Sequence, residues 1–396
     1  MTDILTGLRV LDFGRYVAGP YCATLLGYLG ADVIRVERRG GGEDRYIAPI
    51  TAQGEGAVLF QTACNKRSLT LEMGAPEARE IIRKLVGTAD VVVANLPAKA
   101  LTAMDLDYES LRAIRPDIIL TTQSAFGDVG PYRDRGGFDG IGQAMSGAMF
   151  ISGTPGAPAK AAAPYVDYAT ATLAAFGTLA ALLHRQKTGE GQEVKGSLLA
   201  TALAVFNSHL IEQGATGIGR VGTGNRVQTS APSDVFATRD GQLLVHVVGD
   251  GLFRRWAKLM GDETEWTSNP QYRSDQSRGD HSAEILERMR EWCAQRYTDE
   301  AISELEKAGI PAGPVYTPQQ ALDDPHVQAA EFLASVTNYP GLKSAAPVAG
   351  LPVKLTRTPG GIRTPPPRLG EHTDEILRSI GYSAVEISTL RTCGVI

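Results

Sequence analysis

Asp167 lies in the run Ala163-Pro-Tyr-Val-Asp-Tyr-Ala-Thr-Ala171, where a Gly/Pro/Ala-rich loop (153–164) meets a long apolar helical stretch. That stretch ends in His184-Arg-Gln-Lys-Thr-Gly-Glu-Gly-Gln192. A carboxylate at a loop-to-helix junction has two uses. As an N-cap it accepts a hydrogen bond from a backbone N–H two or three residues on. With its oxygens free on a pocket floor it is a nucleophile. The local residues leave both readings open. The six histidines, His184, His209, His246, His281, His326 and His372, are dispersed. The nearest in sequence, His184, is roughly 25 Å from Asp167 along a continuous helix at 1.5 Å per residue. A Ser-His-Asp arrangement therefore has no support. Cys22, Cys64, Cys293 and Cys393 are scattered, with no CxxC pair and no zinc-like Cys/His spacing. They read as free thiols, with no metal site expected.

Other motifs are weaker. Gly217-Ile-Gly-Arg-Val-Gly222 matches GxGxxG, but a dinucleotide loop follows a strand and opens a helix. Here the motif follows a helical stretch (201–213) and runs into polar sequence, so a loop is expected. Gly14 to Pro20 sits where a Rossmann phosphate loop would sit, and Glu37 where a ribose-binding acid would sit, without the glycine spacing. Glu37-Arg-Arg39 and Asn65-Lys-Arg67 are either solvated charged faces or an anion site for a phosphorylated ligand, which arginine suits through its planar donor fork.

These residues need a scaffold. Apolar strands are expected at 8–13, 32–36, 68–71, 90–94 and 117–121, alternating with helices at 20–29, 76–86 and around 110–114. Strands this apolar imply a parallel sheet covered on both faces. The chain turns helical over 144–214. A hairpin follows at 233–246, with Arg239-Asp-Gly241 at its turn, and helices at 251–260 and 281–296 then complete a smaller α+β domain. With 43% hydrophobic and 21% charged residues among 396, a large core is available. The 39 basic and 44 acidic residues, net charge −5, argue against a nucleic-acid surface. No export signal is visible at the N-terminus. The most apolar stretch, 169–183, falls short of the ~20 residues that span a bilayer, so a buried core helix and a cytoplasmic protein are expected.

Several segments together resemble the class III CoA-transferases, the family of formyl-CoA transferase and carnitine CoA-transferase. They are Gly7-Leu-Arg-Val-Leu-Asp-Phe13, Ala18-Gly-Pro20, Leu29-Gly-Ala-Asp-Val-Ile34 with Val36-Glu-Arg38, Asn65-Lys-Arg-Ser68 and Gly137-Phe-Asp139. They continue with Gln143-Ala-Met-Ser-Gly147, Lys187-Thr-Gly-Glu-Gly-Gln192, Ala312-Gly-Pro-Val315 and Leu369-Gly-Glu-His-Thr-Asp-Glu375, in the family's order. The resemblance implies that Asp167 is the catalytic nucleophile. It would attack an acyl-CoA thioester to give a mixed anhydride, then an aspartyl-CoA thioester. Implied CoA contacts are Arg38 and Arg39 at the nucleotide end. Leu71, Glu72, Met73, Asn95 and Leu96 would line the channel, with Phe138, Val17 and Ala18 near the thioester. The chain departs from the formyl-CoA transferases at Val17, where those have glutamine, and at Ala103, where they have arginine. Gly222-Thr-Gly-Asn-Arg226 stands in place of their poly-glycine loop.

The resemblance implies an α/β fold: a large Rossmann-like parallel-sheet domain and a smaller α+β domain, in an interlocked ring-like homodimer. The expected divisions are 1–205 for the large domain, 206–224 linker, 225–325 small domain, 326–370 linker, and 371–396 returning to the large domain. The expected activity is transfer of CoA from an acyl-CoA to a small, dicarboxylic acceptor such as succinate, malate or a methyl-branched diacid. Arg220 and Arg226 are the candidate groups for the acceptor's distal carboxylate. No permanently bound cofactor, nucleic acid or membrane is expected. The alternatives are intramolecular CoA transfer within a diacid and an α-methylacyl-CoA racemase. Racemases of this kind carry a histidine where Phe138 stands, and phenylalanine cannot shuttle a proton.

Overall fold

The structure, a computed structural model, describes residues 3–396. The chain divides into two compact units, one running through Ala148 with Ala161–Ala215 and Ala330–Ile396, the other Met149–Lys160 with Thr216–Ala329.

The first unit is built on six parallel strands: β1 (Arg9–Asp12), β2 (Asp32–Glu37), β3 (Lys66–Thr70), β4 (Val91–Ala94), β5 (Ile119–Ser124) and β6 (Glu193–Ser197). Their order is β3-β2-β1-β4-β5-β6. The order reverses between β1 and β4, and open α/β sheets bind ligands beyond the carboxyl ends of the strands at such a point. Central strands are buried on both faces, as all four residues of β4 show. This is why they read as unbroken apolar runs. The helices up to residue 216 are α1 (Ala18–Tyr28), α2 (Ala57–Ala63), α3 (Pro76–Val86), α4 (Ala98–Ala103), α5 (Tyr108–Ile114), α6 (Asp139–Met145), α7 (Ala148–Ser152), α8 (Tyr165–Thr188), α9 (Leu198–Val205) and α10 (Asn207–Thr216), of which α7 belongs to the second unit from Met149 on. In α3, proline starts the helix, and Ala78, Ile81, Ile82, Leu85 and Val86 form the buried stripe.

The 24-residue α8 packs on α1, β5 and β6. Small residues, Ala171, Ala174, Ala175, Thr178 and Ala181, lie on its buried side. Gly189 ends it in the left-handed region at φ 77°, its N–H donating to Arg185 O. It is long and apolar enough to cross a membrane by length and composition; the expectation had counted only its central apolar residues.

The second unit carries an antiparallel sheet, β7 (Ser233–Ala237), β8 (Gln242–His246) and β9 (Ala312–Pro314). Its helices include α11 (Asp250–Leu259), α12 (Glu263–Ser268), α13 (Asp275–Asp280), α14 (Ala283–Ala294) and α15 (Thr298–Lys307). Trp256, Phe236, Ile285, Met289 and Leu305 form its core.

Two segments expected as linkers are structured. Residues 207–216 form α10. Beyond 330 the chain forms a hairpin, β10 (Leu333–Val336) with β11 (Ala346–Ala349). It then lies on the first unit, where Gly361 N–H donates to Tyr28 O at 2.9 Å and Arg363 Nη2 to Gly27 O at 2.7 Å.

Candidate active site

The turn from β1 into α1 lies at the reversal point of the sheet. Beneath it Lys66 Nζ donates to Asp12 Oδ2 and to Pro20 O, each at 2.7 Å, and both side chains of the pair are fully buried. Asp12 Oδ1 accepts from Gly14 N–H at 2.8 Å. The backbone is too close for side chains here. A Cβ on Gly14 would lie 2.7 Å from Asp12 Oδ1, and one on Gly19 would lie 2.9 Å from Gly14 Cα. Asn95, at the end of β4, grips the Arg15 peptide from both sides: Oδ1 accepts Arg15 N–H and Nδ2 donates to Arg15 O, each at 2.7 Å. Tyr16 follows at φ 61°, a left-handed conformation that costs a non-glycine residue about 1–2 kcal/mol. Asn95 was expected to line a channel; its amide is spent on holding this turn.

The Asn65-Lys-Arg67 segment does not build an anion site. Lys66 is sealed under the turn, and Arg67 pairs with Asp32 at 2.6 Å and Glu375 at 2.9 Å. Glu37 is no ribose-binding acid either. Burial alone would raise its pKa, but Arg35, Arg45 and the Ser68 hydroxyl hold it at about 2. Arg38 and Arg39 remain solvent-facing. Arg38 donates to Gly41 O and Glu43, and Arg39 to Gly394 O at 3.1 Å. The Leu71 side chain is wholly buried in the core, whereas Glu72 is exposed and Met73 and Leu96 are half-buried. Val17 and Ala18 are also buried, at the entry to α1.

Asp167 lies in the first turn of α8, and it is not the cap. The N-cap position is Pro164, which has no side-chain oxygen to offer. Asp139, the first residue of α6, supplies one instead: its Oδ1 accepts from Val166 N–H at 2.7 Å and Asp167 N–H at 3.2 Å. Its Oδ2 accepts from Gln143 Nε2, and Gln143 Oε1 accepts from Ala161 N–H at 2.9 Å. The pair thus holds both the helix start and the segment leading into it. Sequence reasoning missed it, although Asp and Gln four residues apart on one helix face were a legible signal. Ala18 packs with Val166 and Leu198, which joins the starts of α1, α8 and α9. Phe138, 60% exposed, meets Tyr16 edge-on at 5.2 Å between ring centroids.

Half-buried, and facing the charge of Asp139, Asp167 has its carboxyl pKa pushed up to about 7, burial being the larger cause. Tyr165 and Tyr168 are pushed up as well, chiefly by burial. The arrangement presents a carboxylate of high proton affinity, free of helix capping, beside the reversal point of the sheet. Among the described residues no cluster of three or more His, Cys, Asp or Glu side chains could hold a metal ion.

In the second unit Arg220 donates to Gln276 at 3.2 Å. Arg226 donates to Gly279 O and Ser282 Oγ, each at 3.4 Å, in an open cleft with Tyr272, His281, Glu284 and Arg290. The GxGxxG run follows α10 and leads to β7 without opening a helix.

Residues 5–373 match the family described as CoA-transferase family III. The chain belongs to this family. The transferase is 34% identical to the succinyl-CoA–D-citramalate CoA-transferase of Chloroflexus aurantiacus, over 99% of this chain and 98% of the other. It is 35% identical to the succinyl-CoA:mesaconate CoA-transferase of Haloarcula marismortui, over 95% and 96%. A CaiB/BaiF family protein from Brucella suis shares its fold with a TM-score of 0.84 at 30% identity, covering 96% of this chain and all of that one. The protein is an enzyme whose substrates are CoA thioesters.

Proposed function

We propose that this transferase moves CoA from succinyl-CoA or a similar acyl-CoA to a small dicarboxylic acid, with Asp167 as the covalent carrier. The observation that carries the reading is the Asp167 carboxylate, relieved of capping by Asp139 and raised in proton affinity at the carboxyl end of the sheet. The names of the relatives, which pair succinyl-CoA with diacids, support the substrate class.

In this reading an Asp167 oxygen attacks the thioester carbonyl, the C–S bond breaks, and CoA leaves as thiolate. The thiolate attacks the Asp167 carbonyl of the mixed anhydride. The C–O bond breaks, the donor acid departs, and an aspartyl-CoA thioester remains. The acceptor carboxylate attacks that carbonyl and expels the thiolate. The thiolate then takes the acceptor's acyl group and frees Asp167. A carboxylate carrier suits this exchange because its anhydride keeps the acyl group activated. Arg38, Arg39, Glu72, Met73 and Leu96 would contact CoA by side chain, Leu71, Val17, Ala18 and Asn95 would shape its path, and Phe138 would meet the thioester end. Arg226 would hold the acceptor's distal carboxylate.

Asp167→Ala tests the reading. Transfer from succinyl-CoA to a panel of acids should disappear while CoA still binds within a fewfold of wild-type affinity. Retention of more than a few per cent of kcat would remove Asp167 as carrier.

A further inference from the structure

We propose that Asp139, braced by Gln143, is a positioning residue of the transfer reaction: its carboxylate takes over the hydrogen bonds at the start of α8 and sets its negative charge against Asp167. The inference rests on Asp167 being the covalent carrier. An acid in the first turn of a helix ordinarily gains from the dipole and the free N–H groups, and both effects make it a weaker base. Here Val166 N–H and Asp167 N–H are already taken by Asp139 Oδ1. Asp139 accepts from three N–H groups in all, as an ionised carboxylate does. Asp167 is therefore left as a carboxylate facing a carboxylate.

That arrangement favours the reaction in a specific way. When Asp167 becomes an anhydride or a thioester it loses its charge, and its repulsion from Asp139 disappears. The free enzyme is raised in energy relative to the covalent intermediates, so acylation is favoured. The raised proton affinity of Asp167, from burial and then Asp139, is the same effect seen through the proton.

The other groups packed around the start of α8 do not supply this charge. From α1 come the Tyr21 phenol, pushed up by burial, and the Cys22 thiol, pushed up to about 12. On α8 itself, Tyr165 and Tyr168 are also pushed up. On β6, Lys195 is paired with Glu193 and Asp128, each at 3.1 Å. β5 and α9 contain no charged residue.

Charge and geometry can be separated. Asp139→Asn removes the charge but turns an amide N–H₂ toward Gln143. The double variant Asp139→Asn/Gln143→Glu restores every hydrogen bond. The introduced amide oxygen accepts from residues 166 and 167, its NH₂ donates to the introduced carboxylate, and that carboxylate accepts Ala161 N–H. Only the position of the negative charge changes, by one turn of α6. The expected result is a double variant that melts close to wild type. Its kcat/KM for succinyl-CoA should have an acid limb about one pH unit lower, from the loss of a neighbouring like charge. Its kcat at pH 8 should fall about tenfold, the equivalent of that change in proton affinity, with KM for succinyl-CoA little changed. A double variant with the wild-type pH profile and kcat would reduce Asp139 to a structural cap and overturn the proposal. So would one that melts far below wild type. Hydroxylamine treatment of wild type during turnover tells the two failures apart. Modification at Asp167 keeps the carrier reading whatever the pH profile shows; modification elsewhere overturns that reading and this inference together.

Discussion

The carboxylate of Asp167 must be ionised to attack a thioester, yet the fold raises its pKa to about 7. For the wild type, kcat/KM for the acyl-CoA should therefore rise with pH through about 7, where an unperturbed aspartate would give a limb near 3.9. The same shift makes a stability prediction. Below an aspartate's unfolded-state pKa both states hold the proton and nothing is lost. Between that value and the folded value the unfolded state ionises while the buried acid keeps its proton, a cost to folding that is complete above the folded value. Asp167→Asn removes that cost, so it should stabilise the protein by roughly 2 kcal/mol at pH 8.5 and by almost nothing near pH 3.5, at about 1.4 kcal/mol per tenfold change in proton affinity, discounted for partial exposure. Thermal or urea unfolding at the two pH values checks it; an equal effect at both would mean the carboxylate is not strained. For the acceptor, Arg226 has no ion pair among the described residues, only neutral oxygens at 3.4 Å. Arg226→Ala should raise KM for a diacid about tenfold, as expected for a lost charged hydrogen bond, and leave a monoacid of equal length nearly unchanged. Equal effects on both acids would remove Arg226 from acceptor recognition. At this scale the sequence marked Asp167 but not its capping state, because the cap comes from Asp139, 28 residues away. A local reading weighs only the residue's own neighbours.

Among the elements, the sheet carries the site, and what holds it there is buried charge. Lys66 on β3 neutralises Asp12 at the end of β1 and binds Pro20 O inside α1. Removing the lysine leaves an aspartate with no exposed surface and no directly bonded counter-ion. Lys66→Ala should cost about 3–5 kcal/mol, the usual penalty for breaking a buried pair. Urea denaturation measures it, and a loss below about 1 kcal/mol would fit only an exposed pair. This role was hidden in the sequence. Asn65-Lys-Arg67 reads as a charged segment, and only the pairing of β3 with β2 puts Lys66 under the β1–α1 turn. The strands themselves were legible because both faces of β1, β2, β4 and most of β5 are covered, which leaves apolar runs. β6, Glu-Val-Lys-Gly-Ser at the sheet's edge, has no such run, and periodicity gave no sign of it. α2 escaped for a related reason: seven residues are too few to establish a helical period.

At the scale of the molecule, the chain leaves the first unit twice, briefly over 149–160 and then over 216–329. The resemblance that implied the longer excursion also implies an interlocked homodimer, and we hold the dimer as a proposal. Its support is the apolar surface of the first unit: Phe176 is 70% exposed and Ile211 61%, with Leu173, Leu183 and Val205 also more than half exposed. Large apolar side chains this exposed suit burial against a partner. Sedimentation across a thousandfold dilution should show one dimeric species; a monomer–dimer equilibrium of folded protein would contradict interlocking. The path of the chain beyond the second unit was hard to read, since 326–370 was expected as a linker on the strength of its Pro/Gly-rich part, 356–370. It joins the first unit through hydrogen bonds of its backbone, to Tyr28 O and to the Asn65 side chain, that leave no composition signal. The central claim, that Asp167 carries the acyl group and CoA in turn, is tested most directly by intact-protein mass and peptide mapping after borohydride quenching of the enzyme with succinyl-CoA. A single side chain, Asp167, should be reduced to the corresponding alcohol, and only when the acyl-CoA is present. Turnover with Asp167 unmodified, or reduction at any other carboxylate, would contradict it.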